Sequence, residues 1–436
     1  MYGGGSFTLY NKTLPGTYVN VISAAKANVS FGDRGTVAVP LILDWGIDGE
    51  VFEVTTEDFQ KNSLTLFGYE YTHAKLKDVR EIFRNALTGV FYKVNTGAKA
   101  TGTVAPLTAT AKYKGTRGND IKIVIASNVD NAGYFDVSTY IGSNKVETQT
   151  VNLVEKLVSN DFVVFSGIGT PVATAGLTLS GGTTVAPTGT EYQTFLNKIE
   201  SSDFNTLVCP TDNSTLIALF VAFTKRMRDE QGVKFQTVVY RNYADYEGIV
   251  SVENTVTDSG ANAYSLVYWT GGAEASCPVN ETIQNKTYDG EYTVDTNYTQ
   301  TQLTNGLKAG KFLFHKVKST VKVLDDINTF ISYTDTKTSD FSINQIIRIV
   351  DQMANDIAIL FNNYKLGKAP NDELGRTAFW NDVLTYNREL EKIRCLENVS
   401  ADEITVTKID KKSVSLFNPI EPVVAMGKLY VTIQVA

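Results

Sequence analysis

Apolar residues return every three or four positions in several stretches of the chain, and each such stretch predicts a helix. Over 72–87 the set Leu76, Val79, Phe83, Ala86 and Leu87 lies on one face, with Gly89 as the stop. Over 190–199 the face is Phe195, Leu196 and Ile199; over 212–229 it is Leu216, Leu219, Phe220, Phe223 and Met227. A further helix is predicted over 261–269. The longest patterns come late. The stretch 339–364 carries Ile343, Ile346, Ile347, Val350, Met353, Ile357, Leu360 and Phe361, and 372–396 carries Phe379, Val383, Tyr386, Leu390 and Ile393. Short β-branched and apolar runs predict strands over 18–22, 35–43, 90–94, 204–209, 235–240, 311–315, 320–324, 404–409, 414–417 and 427–436. Pro40 lies inside the 35–43 run, and a residue without an N–H predicts an edge strand or an early end.

The pattern changes at about Asn95. From there to about Pro187, Thr, Gly, Val and Ala dominate, helix signals vanish, and strands are predicted over 121–126, 134–141 and 162–165. This reads as an all-β domain inserted into an α/β host, whose strand–helix–strand succession implies crossovers. The expected fold class is a multidomain α+β protein with a mixed α/β core, the inserted all-β domain, two long C-terminal helices, and extended strand arms at both ends. The expected divisions are an N-terminal arm at 1–22, core at 23–94 and 190–338, the insertion at 95–189, a C-terminal domain at 339–428 and a C-terminal arm at 429–436. A length of 436 residues suits about three domains.

Composition narrows the function. Lys and Arg number 40 against 47 Asp and Glu, a net charge of −7, and no basic stripe interleaves with aromatics, so nucleic acid is not an expected partner. Cys209, Cys277 and Cys395 lie far apart and form no C-x-x-C pair, which excludes a zinc ribbon or a thioredoxin-type site. His73 and His315 are the only histidines and are isolated, which leaves a Ser-His-Asp triad little material to draw on. No basic region followed by an apolar core opens the chain, and no run of about eighteen apolar residues occurs. Neither export by a signal sequence nor direct membrane insertion is expected.

The glycine-bearing stretches do not make phosphate loops. Gly115-Thr116-Arg117-Gly118-Asn119-Asp120, Ser180-Gly181-Gly182-Thr183 and Thr270-Gly271-Gly272-Ala273 all lack the lysine and the following helix that a P-loop needs, and they read as turns or caps. Asp325-Asp326 offers two carboxylates for a cation or for acid–base work, or else a cap for a turn or helix. Lys225, Arg226 and Arg228 close a predicted helix, where cations complement its dipole. No catalytic, metal-binding or cofactor-binding residue is assigned from these patterns.

The strand-like run 427–436 is strongly apolar and has no polar tail. Such a strand has to pair, with its own sheet or with another chain, because a bare apolar edge aggregates. The run at 18–22, tethered by Gly3, Gly4 and Gly5, raises the same question. If both pair outward, the protein is a polymer subunit.

Several stretches together resemble the contractile tail sheath family of myophages, R-type bacteriocins and defective-prophage tails. They are Leu14-Pro15-Gly16-Thr17-Tyr18-Val19-Asn20, Arg34-Gly35 through Asp44-Trp45-Gly46, Gly115 through Asp120 and Leu179-Ser180-Gly181-Gly182. Further along come Tyr288-Asp289-Gly290-Glu291-Tyr292 and Asp325-Asp326-Ile327-Asn328-Thr329. The last are Ile347-Arg348 to Asp351 with Asn355-Asp356-Ile357, Gly367 through Asp372 with Gly375-Arg376, and Pro422 through Tyr430. The resemblance implies a structural subunit, not an enzyme and without a cofactor. Its subunits would stack as hexameric rings into a helical sheath around an inner tail tube, with baseplate and tail-terminator proteins as further partners. It would be built in the host bacterial cytoplasm and carried in a particle tail. The arms, Tyr18, Val19, Asn20 and Val21 at one end and Leu429, Tyr430, Val431, Thr432 and Ile433 at the other, would add strands to a small sheet of neighbouring subunits. The insertion would lie outside, and the two long helices, with Arg348 and Lys365, would face the tube. A static β-rich particle protein and, more remotely, a carboxylate-based glycan hydrolase are the other classes that the residues leave open.

Overall fold

A computed structural model describes residues 34–435. Among them the chain forms two compact units, one of residues 34–355 with 422–435 and one of residues 356–421. The expected N-terminal strand at 18–22 lies outside the described residues.

The first unit is organised by a six-stranded sheet whose strands lie in the order 249–252, 236–240, 206–208, 36–41, 88–93 and 51–55. Its strands are β1 (Thr36–Leu41), β2 (Val51–Thr55), β3 (Thr88–Lys93), β13 (Thr206–Val208), β14 (Gln236–Tyr240) and β15 (Ile249–Val252). All neighbours are parallel except β2 and β3. Both faces are covered, which explains the near-continuous apolar runs. Val37, Val39, Val208, Val238, Val250 and Val252 pack with α1 (Thr56–Phe67), α2 (Lys77–Phe83) and α5 (Leu266–Ser276) on one face. Ala38, Val90, Leu207, Val239 and Ile249 meet α3 (Gly189–Ile199) and α4 (Ser214–Lys225) on the other. Helix α3 begins in a capping box between Thr188 and Glu191, and α4 runs on into a π turn at Arg226–Gln231.

Several expectations are corrected by this sheet. β1 is central, not an edge strand. The carbonyls of Gly35 and Leu41 accept bonds from the β3 side, whereas that of Thr36 accepts from Asn205 on the β13 side. Even-numbered residues therefore face β13, and the β1–β13 pairing ends at Ala38 with Leu207. Pro40 lies beyond that point, so its missing N–H leaves no ladder position empty. Helix α1 carries no expected pattern because only Phe59, Ser63 and Phe67 are buried; Thr55 caps it by accepting from Asp58 N at 3.1 Å. The helix expected over 261–269 lies further along, and Gly271 and Gly272 are in its interior instead of at a turn. A Cβ on Gly271 would sit 2.2 Å from Val208 Cγ2, and one on Gly272 would sit 2.4 Å from Ile82 O. The glycines let α5 press against the sheet and α2.

Between β3 and α3 stands the inserted β domain, strands β4 (Thr96–Ala98), β5 (Thr101–Val104), β6 (Leu107–Ala111), β7 (Ile121–Ser127), β8 (Phe135–Ile141), β9 (Asn144–Val151), β10 (Val163–Ser166), β11 (Thr174–Thr178) and β12 (Thr183–Val185). They make antiparallel sheets of order β11-β7-β8-β9, β10-β6-β5 and β12-β4. Alternate residues of β6 and β7, namely Leu107, Ala109, Ala111, Ile121, Ile123 and Ile125, fill its core. Trp45 of the α/β core enters the same cluster and stacks on Phe162 at 5.8 Å. Gly115 meets the backbone of Asp44, where a Cβ would be 2.0 Å from the carbonyl oxygen. The turn Thr116–Asp120 that follows extends Arg117 to Gly68 O at 2.7 Å.

After α5 the chain forms α6 (Gln300–Lys308) and the hairpin β16 (Phe314–Val317) with β17 (Thr320–Val323). A 3-10 turn, Ser339–Ser342, and an extended Ile343 then precede α7 (Asn344–Tyr364). The division between the two units falls within α7. The second unit holds the last turns of α7, α8 (Glu373–Lys392) and the hairpin Thr405–Lys408 with Val414–Phe417. Its core is Leu360, Phe379, Val383, Leu384 and Ile404. Tyr386 Oη donates to Asp356 at 2.7 Å, and Trp380 Nε1 donates to Ile404 O at 2.9 Å. No strand is formed over 427–435.

Gly272→Ala is expected to push α5 off α2 and to cost about 2 kcal/mol of stability. Chemical denaturation measures it, and a neutral substitution would show that the α2–α5 contact yields freely.

Candidate functional site

Helix α7 presents Asn344, Arg348, Asp351 and Asn355 to the first unit at intervals of four, three and four residues, one stripe of a helix face. Arg348 is 2% exposed. Its Nη1 donates to Glu274 Oε2 of α5 at 2.5 Å and its Nη2 to Asp326 Oδ2 at 2.6 Å. Asn344 Nδ2 bridges the other oxygens of both carboxylates, each at 3.0 Å. Asp326 Oδ2 also accepts from Thr282 Oγ1 at 2.8 Å and Ile283 N at 3.2 Å. Further along the stripe, Asp351 takes Arg228 through both terminal nitrogens, at 2.5 and 2.9 Å. Asn355 brackets the Lys234 peptide, accepting its N–H at 3.1 Å and donating to its carbonyl at 2.8 Å.

The electrostatics follow from this geometry. Burial and the neighbouring Asp326 push the Glu274 carboxyl well above its usual range, against the pull of Arg348. Burial also works on Asp326, but the Arg348 charge and its hydrogen bonds outweigh it and hold that carboxyl low. Arg34 donates to Cys277 O at 2.9 Å and Glu274 O at 3.0 Å. Burial and the like charge of Arg348 lower Arg34 to about 10.

A second polar lock surrounds the Tyr288–Tyr292 stretch. Glu81 of α2 accepts from Tyr288 Oη at 2.7 Å and Glu291 N at 2.5 Å. Arg80 pairs with Glu291 through two bonds of 2.7 and 2.8 Å. Tyr292 Oη donates to Asp78 at 2.6 Å, and Trp269 Nε1 to Asp289 at 2.7 Å. Burial pushes the Glu81 carboxyl up to about 7, in spite of the bonds it accepts.

The residues singled out from the sequence scatter. Arg348 is corrected from a tube-facing charge to an interior ion-pair partner: it and its neighbours Ile347 and Ile349 are all buried inside the first unit. Lys365 pairs with Asp382 at 2.6 Å in the second unit. Asp326 is consumed by Arg348, and Arg228 belongs to Asp351 where a dipole role had been expected. Tyr18, Val19, Asn20 and Val21 lie outside the described residues. Leu429, Tyr430 and Ile433 are 86%, 90% and 83% exposed, Val431 and Val435 are exposed as well, and among the described residues no strand pairing involves 423–435. Among the described residues no group of three or more His, Cys, Asp or Glu could hold a metal ion, and no helix is long and apolar enough to cross a membrane. The polar stripe of α7 escaped the sequence reading, although its 4-3-4 spacing inside an apolar helix was there to be counted.

This combination of a parallel α/β core, an inserted β sandwich and a helical C-terminal unit is the build of a tail sheath protein. Consecutive family models match it. The Gp18 domain III N-terminal region of tail sheath proteins covers residues 34–94, and the sheath β-sandwich domain covers 95–184. The sheath central domain covers 186–329 and the sheath C-terminal domain 336–436. The phage-like element PBSX protein XkdK of Bacillus subtilis is 32% identical over 99% of each chain. The crystal structure of the sheath tail protein of Desulfitobacterium hafniense matches with a TM-score of 0.85 and 36% identity, over 95% of this chain and 99% of that one. The helical sheath of the anti-feeding prophage in its contracted state shares the fold, with a TM-score of 0.58 at 12% identity over 97% and 99% of the two chains. The chain belongs to the phage tail sheath protein family, whose members are structural and not enzymes.

Arg348→Met is expected to cost about 3–5 kcal/mol in chemical denaturation, because it strands two buried carboxylates. A loss under about 1 kcal/mol would show that Asn344 and Thr282 satisfy them alone. Glu81 sets a pH dependence. Between its ordinary 4.5 and about 7 the folded chain holds a proton that the unfolded chain has released, so this group's contribution falls as pH rises through that window. Glu81→Gln is expected to flatten that part of the Tm–pH curve; an unaltered slope assigns it to another group.

Proposed function

We propose that this chain is the subunit of a contractile sheath that polymerises around an inner tail tube in an extended state and shortens to drive the tube through a bacterial envelope. The observation that carries the reading is the exposed apolar run from Leu429 to Val435, which makes no strand pairing among the described residues. Alternate placement of Leu429, Val431, Ile433 and Val435 suits one face of an added strand. Main-chain bonds to a neighbouring copy would satisfy its backbone and cover its side chains. The hairpin Thr405–Lys408 with Val414–Phe417 is a two-stranded sheet of the kind that accepts such a strand, and Phe417 on it is exposed. The fold shared with a sheath captured in the contracted state supports the contractile part of the reading.

In this reading, hexameric rings stack helically, the inserted sandwich lies on the outside, and the sheath meets baseplate and tail-terminator proteins at its ends. With Arg348 interior, the tube-facing surface moves to the α7–α8 turn, where Tyr364, Leu366 and Leu374 are exposed. Assembly takes place in the host cytoplasm, before the particle is released.

Each added main-chain bond nets about 0.5–1.5 kcal/mol, so one arm is worth a few kcal/mol, and repetition through the lattice makes it durable. Removal of residues 429–436 is expected to leave a folded monomer of near-native Tm that forms no sheaths by electron microscopy. Val431→Pro, which deletes a ladder donor, is expected to act likewise. Sheaths of normal length from the truncated chain would overturn strand exchange as the link between subunits.

A further inference from the structure

The first turn of α7 grips the base of the C-terminal segment as well as the buried charges. Gln345 is 2% exposed. Its Oε1 accepts the N–H of Ala425 at 3.0 Å, and its Nε2 donates to Val423 O at 3.4 Å. A side-chain amide thus holds this segment as a neighbouring strand would, through one donor and one acceptor. Immediately beyond, Met426 is fully exposed, and the apolar run begins at Leu429.

We infer that Gln345 is a positioning residue that fixes where the C-terminal segment leaves the body of the subunit, and that the Arg348–Glu274–Asp326 cluster holds this clasp in register with Arg34. The inference rests on the strand-exchange reading above and adds to it a defined root. Asn344, next to Gln345, is pinned by both carboxylates and by Gln236, whose Nε2 donates to Asn344 Oδ1 at 2.9 Å. Gln345 therefore has little freedom to swing. Arg34 is bound to the carbonyls of Glu274 and Cys277, at the end of the helix whose Glu274 carboxylate meets Arg348. The path from Arg34 to Ala425 thus runs through α5 and the first turn of α7, with a polar bond at each step. A fixed root restricts the directions in which the segment can search. It therefore lowers the ordering entropy left to be lost when the strand pairs with a neighbour.

The test compares Gln345→Ala and Ala425→Pro with the unaltered full-length chain and with the chain lacking 429–436. Ala425→Pro removes the donor without touching the core, so it covers the case in which the buried Gln345 variant folds poorly. In the monomer, hydrogen exchange over 423–427 is expected to rise more than about tenfold in Gln345→Ala at near-native Tm. The protein concentration needed for sheath assembly is expected to rise about tenfold in both variants. Unchanged exchange in Gln345→Ala would show that the clasp does not hold the segment. Faster exchange with an unchanged assembly threshold would reject the positioning role while leaving strand exchange intact. Normal assembly of the truncated chain would instead remove strand exchange itself.

Discussion

A guanidinium taken out of water must find anionic partners within hydrogen-bond reach, and Arg348 finds Glu274 and Asp326 on two other elements of the first unit. Such a cluster adds little net stability, since the desolvation of three charges offsets their attraction. What it does is specify the arrangement. An apolar helix can slide or rotate by a residue against an apolar surface at modest cost. α7 cannot, because any slip leaves Arg348 or a carboxylate buried without a partner. The Asp351–Arg228 pair and the Asn355 bracket on Lys234 repeat the constraint along the same stripe. The orientation of α7 is thereby set over three turns, and with it the place of the Gln345 clasp.

The subunit keeps two kinds of surface apart. Inside the first unit, charge is paired and α5 is pressed close by Gly271 and Gly272. Outside, the run from Leu429 to Val435 stays bare, a state that invites aggregation unless a specific neighbour covers it. A polymer subunit benefits from that division. In the proposed sheath its body would have to keep its shape when contacts between subunits change, and the link between subunits would have to survive the change. Strand pairing suits such a link because its bonds are main-chain bonds, independent of which side chains face each other across the remaining interface. The Glu81 lock on the Tyr288–Tyr292 loop serves the body in the same way, holding an irregular segment to α2 through acceptors that water would otherwise supply.

Local chemistry was enough to determine many of the elements. The apolar faces of α3, α4 and α8 and the β-branched runs of β1, β13 and β14 depend on neighbours within a few positions, and periodicity reports them directly. The inserted β domain showed in composition for the same reason, since a sandwich needs short strands and frequent turns. The family resemblance was likewise legible in the order of residues, whereas the strand expected over 427–436 is not formed among the described residues. Where propensity was weak, as for α1 with two buried aromatic rings, or where a strand such as β15 is short and buried by its surroundings, the pattern was silent. Partnership was decided only by the tertiary structure. Pro40 sits in a central strand because β13 has already parted from β1 there, and Gly271 and Gly272 sit inside a helix because Val208 and Ile82 crowd it. Arg348 is interior because Glu274 lies 74 positions away in sequence but 2.5 Å away in space. A charge on a helix reads as solvent-facing unless the chain brings an opposite charge to it, and that meeting depends on the packing of distant segments, which no local pattern encodes.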